Sequence, residues 1–481
     1  MNFSSHLQSN PVFETISKAA AKINLPVFVV GGYVRDLILN RPNKDLDFVT
    51  LGSGIALANQ VAKDLGGLPV TVFQNFGTAN IKTDEWELEF VGARKESYRT
   101  ESRKPMVEDG SLEEDQNRRD FTINAMAISL NKDSIEGWQQ TYGNLIDPFG
   151  GLDHIKKKIL QTPLHPDSTF SDDPLRMMRA IRFAAQLKFD IEPETFESIV
   201  RNAERLKIVS MERVIDETNK IILTPQPSYG FKLLFHSGLL KQFFPEFVSL
   251  QGVEYVGGNA HKDNFYHTLQ VLDNVCKTSD DLWLRWAAIL HDIAKPATKR
   301  YDPNVGFTFH GHEDKGARMT PGIFRRLKLP MNEKMEFVQK LVRLHLRPIS
   351  LAYEVTDSAI RRLLFDAGND IDALMKLCRA DITSKNMDKV NRYLKNFDSL
   401  EERMEEVEAK DHLRNFQPPV SGEEIMLTLG LPPSKMVGII KERIKDAILD
   451  GEIENDHAQA WALMLRVAKE KGIEVPEAEK K

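Results

Sequence analysis

Asp45 and Asp47 stand in the segment KDLDFV, where an apolar alternation opens a strand. Strand side chains alternate, so residues two apart share a face, and Leu46 and Phe48 point the other way into a core. Two carboxylates on one face form a hard-oxygen site suited to Mg²⁺. Upstream, Gly31 and Gly32 follow the apolar run PVFVV and open the segment YVRDLIL. Lacking Cβ atoms, they let backbone approach a phosphate closely, and N–H groups at a helix start favour anions. A lone D-x-D is most often a solvated strand edge. With the glycine pair ahead of it, the combination reads as a metal and phosphate site. Glu87 and Glu89 alternate on ELEFV, and Glu89 is assigned as the third acid of the cage. Such a cage holds two metals about 3.5–4 Å apart, lowers the pKa of an attacking hydroxyl and stabilises a leaving pyrophosphate.

The surrounding elements must hold these groups. Residues 12–24 read as a helix, 26–32 as a buried strand ending in a tight turn, 46–51 as a strand, and 55–67 as a helix stopped by glycines. PVTVF, ANIKT and ELEFVGA read as further short strands, giving an α/β head of about 150 residues. Residues 95–117 are polar without a period and read as a long mobile loop. From Pro174 onward apolar residues return at three- and four-residue spacing, so the remainder reads as helical, ending in a frayed charged tail. The fold class is therefore α+β: an α/β head, an all-α neck and body, and a further α-helical module. The division expected is 1–160, 161–255, 256–390 and 391–481.

The stretch GGYVRDLILNRPNKDLDFVT (31–50) resembles the head of the class II tRNA nucleotidyltransferase and bacterial poly(A) polymerase family. RRDFTINAMA (118–127) is similar to that family's next motif. SDDPLRMMRAIRFAAQL (171–187) is similar to its nucleotide-selecting motif, with Asp172 where Glu is usual. The resemblance implies that Asp45 and Asp47 hold catalytic Mg²⁺, and that Gly31, Gly32 and Arg35 handle the triphosphate. It implies that Arg119, Asp120 and Asn124 bind sugar and phosphates, and that Asp173 and Arg176 read the base. The residues agree with this. Pro174 suits a first helical position, with Asp172 or Asp173 as the cap. Arg176, Arg179 and Arg182 recur every three residues as a stripe on one face, while Leu175, Met178, Ile181 and Ala185 form an apolar face. An aspartate accepts from an exocyclic amine and an arginine donates to ring nitrogens and carbonyls, so one Asp–Arg pair can accept C and A while rejecting U and G. The implied activity is addition of C, C and A to tRNA 3′ ends from CTP and ATP. The 95–117 segment favours this over a CC-adding variant, since a loop here accompanies switching from C to A in the family. A poly(A) polymerase is the runner-up.

A second constellation lies downstream. His267, His291-Asp292 in HDIAKP, and Asp381 follow an order that resembles the HD phosphohydrolase superfamily. The resemblance makes these four metal ligands, with His312 and His345 in position for a second metal and His310 a weaker substitute. Imidazole with carboxylate suits a divalent transition metal, and an open coordination position would activate water. An HD phosphohydrolase with an RNA-binding head is the reading from a different class.

Composition only bounds these readings. A hydrophobic fraction of 41% with 28% charged residues is ordinary for a globular chain of 481 residues. Cys276 and Cys378 make neither a disulfide framework nor a zinc site. No signal peptide opens the chain and no run of about 18 apolar residues exists, so a cytoplasmic protein without membrane contact is expected. A net charge of −6 excludes a uniformly basic RNA coat but not a local basic groove. Arg201, Arg205 and Lys207, and then Arg325, Arg326 and Lys328, are clusters that could meet acceptor-stem phosphates. Each cluster reads equally well as a solvated helix face.

Overall fold

The computed structural model describes residues 1–473 apart from 75–76, 100–101, 134, 136–137, 254, 257–258, 261–262, 352–355, 385 and 412–416. By its contacts the chain divides into two compact units. One comprises residues 1–224 and 229–244, the other 225–228 and 245–481.

The first unit is built on a seven-stranded sheet. In chain order its strands are β1 (Val27–Val30), β2 (Asp45–Thr50), β3 (Val70–Phe73), β4 (Thr78–Lys82) and β5 (Glu87–Gly92), then, beyond a separate hairpin, β8 (Ala127–Ser129) and β9 (Leu145–Ile146); the spatial order is β3-β4-β5-β2-β1-β8-β9. Only β2 and β5 run parallel; the other neighbours are antiparallel. Alternation decides the faces. Leu46, Phe48, Leu88 and Phe90 are buried, with the Phe48 and Phe90 rings stacked at 5.1 Å and Phe13 edge-on to Phe48. Phe13 belongs to the helix Pro11–Lys22, whose start is set by Pro11 at its first position and the Asn10 side chain accepting from the Val12 N–H. Asp45, Asp47, Glu87 and Glu89 therefore project from the opposite face.

The polar segment 95–117 is not the loop its composition suggests. β6 (Arg94–Arg99) and β7 (Ser102–Asp109) form an antiparallel hairpin, and Leu112–Asn117 is a helix. Backbone pairing in a hairpin is indifferent to side-chain type, so a ribbon of polar residues carries no hydrophobic period to read. The helix did carry a signal. Ser111 and Glu114 form a reciprocal capping box. Its Leu112 packs with Phe28, Val30, Val49 and Ala127, making the acidic face apolar beyond Asp47.

Helices complete the first unit. Leu175–Leu187 buries Leu175, Met178, Ile181 and Ala185 as the apolar spacing requires. The second unit is helical around Asn264–Cys276, Leu282–Leu290, His312–Arg326, Glu333–Leu344 and Ile371–Asp381, with a short hairpin pairing Arg300–Asp302 and Gly306–Thr308. Among the described residues no helix is long and apolar enough to cross a membrane. The frayed end expected for the tail falls on residues 475–481, outside the described residues.

Candidate active site and metal centre

The parallel register of β2 and β5 puts Asp45 opposite Glu87 and Asp47 opposite Glu89. Glu87 is ion-paired to Lys82 at 2.9 Å, which leaves Glu89, opposite Asp47, as the candidate third acid. Burial lifts the Asp47 carboxyl above its usual range, and Asp45 adds to this against the pull of Arg119. Glu89 is raised by burial and then by Asp47. Two acids whose charged forms are disfavoured, on one face with Asp45, suit a bound cation.

Gly31 at the end of β1 has φ 73° and ψ −135°, a conformation that only glycine adopts readily. A Cβ there would stand 3.1 Å from the Arg119 guanidinium and 3.3 Å from Asp47 Oδ2. The glycine thus lets the turn lie directly against the acids and their neighbouring cation.

A chain of hydrogen bonds joins the three stretches named from the sequence. The Asp45 N–H donates to Asn43 Oδ1 and Asn43 Nδ2 donates to Asp36. Arg35 donates two bonds to Asp36 and a third to Asn124 Oδ1. Asn124 Nδ2 donates to Asp120, and Arg179 Nε donates to the other oxygen of Asp120 at 2.7 Å. Burial alone would raise Asp120, but Arg179 and Asn124 hold its carboxyl at about 2. Arg119 forks onto the buried Asp115.

The arginine stripe is not a solvated surface row. Arg176 is buried and donates to the carbonyls of Arg118 and Thr169, Arg179 pairs with Asp120, and Arg182 pairs with Glu217 at 2.6 Å. The Phe183 ring lies under three guanidiniums, those of Arg182, Arg35 and Arg179 at 4.0, 5.0 and 5.3 Å. Its negative face helps cations gather in one place. Pro174 stands at the N-cap rather than inside the helix, Asp173 accepts from the Leu175 N–H just ahead of it, and Asp172 ends the preceding helix. All of the groups predicted for nucleotide binding line one cleft of about 430 Å³, together with Asp45 and Asp47.

Phe183 and Arg213 also line this cleft and were missed from sequence. Phe183 carried a faint signal as the aromatic within the arginine run RAIRF. Arg213, 3.9 Å from Asp173, comes from a helix 37 residues beyond Arg176 and carried none. Of the basic residues suggested for phosphate contact, Arg201 pairs with Asp167, Arg205 donates to the Ser171 carbonyl, and Arg326 pairs with Glu246.

The second unit gathers the other predicted ligands. His267, His291 and Asp381 form one group whose donor atoms all lie within 4.8 Å of one another, and Asp292, His312 and His345 form another. Asp292 joins the two. Its Oδ2 lies 3.2 Å from His291 Nε2, and its Oδ1 lies 3.2 Å from His312 Nε2 and 3.9 Å from His345 Nε2. His310 is exposed and in neither group. Three of the rings are aimed by backbone. Nδ1 of His291, His312 and His345 meets the carbonyls of Ala288, Phe309 and Val342 at 2.7–2.8 Å. A carbonyl only accepts, so each Nδ1 bears a proton, and in the neutral ring each Nε2 offers a lone pair. Those three Nε2 atoms are buried and make no hydrogen bond. Lone pairs facing carboxylate oxygens in a sealed interior require positive charge between them. The same demand shows at His291. Burial alone would lower its imidazole, yet Asp292 and Asp381 lift it to about 10. The donor set therefore fits divalent metal.

Residues 27–161 match the family described as the poly A polymerase head domain, 188–250 the probable RNA- and SrmB-binding site of polymerase A, and 264–402 the HD domain. The chain is 30% identical to the A-adding tRNA nucleotidyltransferase of Deinococcus radiodurans, over 92% of this chain and 95% of that protein. The chain belongs to the tRNA nucleotidyltransferase family. It is equally, at 30%, similar to the CC-adding tRNA nucleotidyltransferase of Thermus thermophilus, over 92% of this chain and 94% of that one. Among solved structures, a tRNA nucleotidyltransferase complexed with a primer tRNA and an incoming ATP analogue matches with a TM-score of 0.56 and 25% identity, covering 80% of this chain and 98% of that one. This tRNA nucleotidyltransferase is thus a transferase whose α+β architecture pairs a polymerase-type head with an HD domain.

Proposed function

We propose that this nucleotidyltransferase completes tRNA 3′ ends by adding C, C and A from CTP and ATP. The observation that carries the reading is the shared face of Asp45, Asp47 and Glu89, with the two aspartates opening into a cleft walled by arginines. Asp45, Asp47 and Glu89 would hold Mg²⁺, which supplies Lewis-acid stabilisation of the leaving pyrophosphate and acidifies the tRNA 3′-hydroxyl. That oxygen attacks the α-phosphorus, the bond to the β-phosphate oxygen breaks, and pyrophosphate leaves. Gly31 and Gly32 bring backbone to the triphosphate, and Arg119 stands beside Asp47 to take up its charge. Arg35 and Asp120 are tied to protein partners and hold the walls in register. Asp173 and Arg176 line the cleft and would read the base edge, with the Arg118 and Thr169 carbonyls orienting the guanidinium.

The segments would divide the work: 1–160 for chemistry, 161–255 for nucleotide choice and RNA, 256–390 for the second metal centre, and 391–481 as a helical tail. A cytoplasmic setting suits the two free cysteines. His267, His291, Asp292, His312, His345 and Asp381 would hold a divalent transition metal for phosphohydrolase chemistry.

The test uses tRNAs ending before the CCA, after C and after CC, each with CTP, ATP and Mg²⁺. Growth to three, two and one added nucleotides supports the reading. Growth of only the first two classes by C, or only the last by A, would assign a partial activity like those of the named relatives. A long A ladder would assign a poly(A) polymerase.

A further inference from the structure

A second pocket, of about 430 Å³, adjoins the arginine-walled cleft of the first unit. Tyr33 and Asn43 line both, so they form the rim between the two spaces. That rim stands close to the acids. The Asp45 N–H donates to Asn43 Oδ1 at 2.8 Å, and Asn43 Nδ2 is tied to Asp36 at 2.7 Å. Local structure builds the other walls. Asn2 donates to the Asn144 side chain and the Tyr142 carbonyl, and the Phe3 N–H donates to the Gly143 carbonyl. Anchored in this way, the helix Ser4–Gln8 sets His6 Nε2 3.1 Å from the Tyr33 hydroxyl. Trp86 comes from the turn between β4 and β5, closed by the Thr83 N–H donating to the Trp86 carbonyl. Its indole stands edge-on to Tyr33, with ring centres 6.4 Å apart, and is only half-buried where it lines the pocket.

The two spaces differ in charge. Among the described residues seven arginines line the cleft, which suits a triphosphate, whereas the pocket has one, Arg41, set against Glu85. A ring-walled pocket whose charges nearly balance takes a base rather than phosphates. Which base follows from the reaction. The attacking hydroxyl has to lie at the acids, and it belongs to the last nucleotide of the RNA. That nucleotide changes after every addition, so a site for its base must accept any base. A ring face does this, because every base has a π-face to stack. Asn10 and Asn40 also line the pocket, and a side-chain amide both donates and accepts, so it fits more than one base edge. We propose that this pocket receives the base of the last nucleotide of the RNA being extended, stacked on Trp86, while the 3′-hydroxyl of that nucleotide reaches across Asn43 to the acids. This rests on the reading of the head acids as the site of nucleotide addition.

The test compares the full chain with its Trp86→Ala and Trp86→Phe variants on three tRNAs: one intact, one with an abasic last residue, and one with an abasic residue before the last. Primer extension gives kcat and KM for the first nucleotide that the parent adds. Fluorescence anisotropy gives Kd for each tRNA with no nucleotide present. Loss of the last base should raise the parent's KM and Kd for tRNA about tenfold, the lower end of what one stacked base contributes. Trp86→Ala should raise both about tenfold for the intact tRNA and by less than about twofold for the abasic end, with KM for the incoming nucleotide unchanged within about twofold. Trp86→Phe, which keeps a ring, should return the intact tRNA to within about threefold of the parent. Removal of the base before the last should cost the parent and Trp86→Ala alike. A Trp86→Ala loss of equal size on intact and abasic ends marks a merely structural residue and overturns the proposal. A rise in KM for the incoming nucleotide that matches the rise for tRNA overturns it too. A parent that adds no nucleotide would overturn the reading of the acids instead, while the Trp86-dependent difference in Kd would still sustain the subsite.

Discussion

Asp47 and Glu89 stand opposite one another in the parallel register of β2 and β5, the one parallel pair in a sheet otherwise antiparallel. Parallel strands need a crossover, and the chain supplies it with the helix Gly54–Asp64 and two intervening strands. The two acids are thereby brought together from segments more than forty residues apart.

This relationship separates activity from stability. Asp47→Asn should reduce nucleotide addition by at least about a thousandfold, since it removes a ligand from a two-metal cage. Its stability in chelator should equal or exceed that of the parent by up to about 1 kcal/mol, because a buried carboxylate beside Asp45 disfavours its own charge. Primer extension and urea unfolding with EDTA read the two effects. A destabilised Asp47→Asn would contradict the electrostatic account.

Gly31→Ala tests the turn. The backbone there is strained for any L-residue, and the new methyl would press on Arg119 and Asp47. A loss of about 1–3 kcal/mol in stability is expected, with nucleotide affinity falling as Arg119 is displaced. Gly32→Ala, with ordinary backbone and no neighbour closer than 3.6 Å, should be much milder in stability. Equal effects would show that the strain is not at Gly31.

Asp120 predicts a pH dependence. Its carboxyl is held at about 2 in the folded chain against an ordinary value of 3.8. A depressed acid stabilises the fold fully above the unfolded value, and the contribution is lost as pH falls from about 4 through 2. Asp120→Asn should therefore cost about 2 kcal/mol at pH 7, and the gap should narrow below pH 4. Denaturant titrations of both proteins across that range would check it; a gap independent of pH would assign the loss to packing.

Asp292 joins the two histidine groups, one oxygen to each. Asp292→Ala should abolish metal uptake by the HD domain, whereas His312→Ala should remove only part of it. Elemental analysis after dialysis gives the stoichiometry. CCA addition should stay within about twofold in both, because the head's acids belong to the other compact unit. Retention of full metal content by Asp292→Ala would refute the bridging role.

Much of this was legible before folding. Period-two alternation around Asp45 and Asp47 specified a shared acidic face, because side chains on a strand must alternate. The spacing of Leu175, Met178, Ile181 and Ala185 specified a buried helix face with arginines beside it. The resemblance of the ordered H…HD…D pattern to the HD superfamily marked His267, His291, Asp292, His312, His345 and Asp381 as candidate ligands. What sequence could not supply was pairing. Whether Glu87 or Glu89 meets Asp47 depends on strand register, and Lys82 settles Glu87 only once β4 lies beside β5. The polar hairpin of β6 and β7 had no period to betray it, since its bonds are made by backbone. Arg213, Phe183 and the bridge through Asp292 likewise depend on distances between elements. Local pattern dictates which way a side chain points; only tertiary packing decides what it meets.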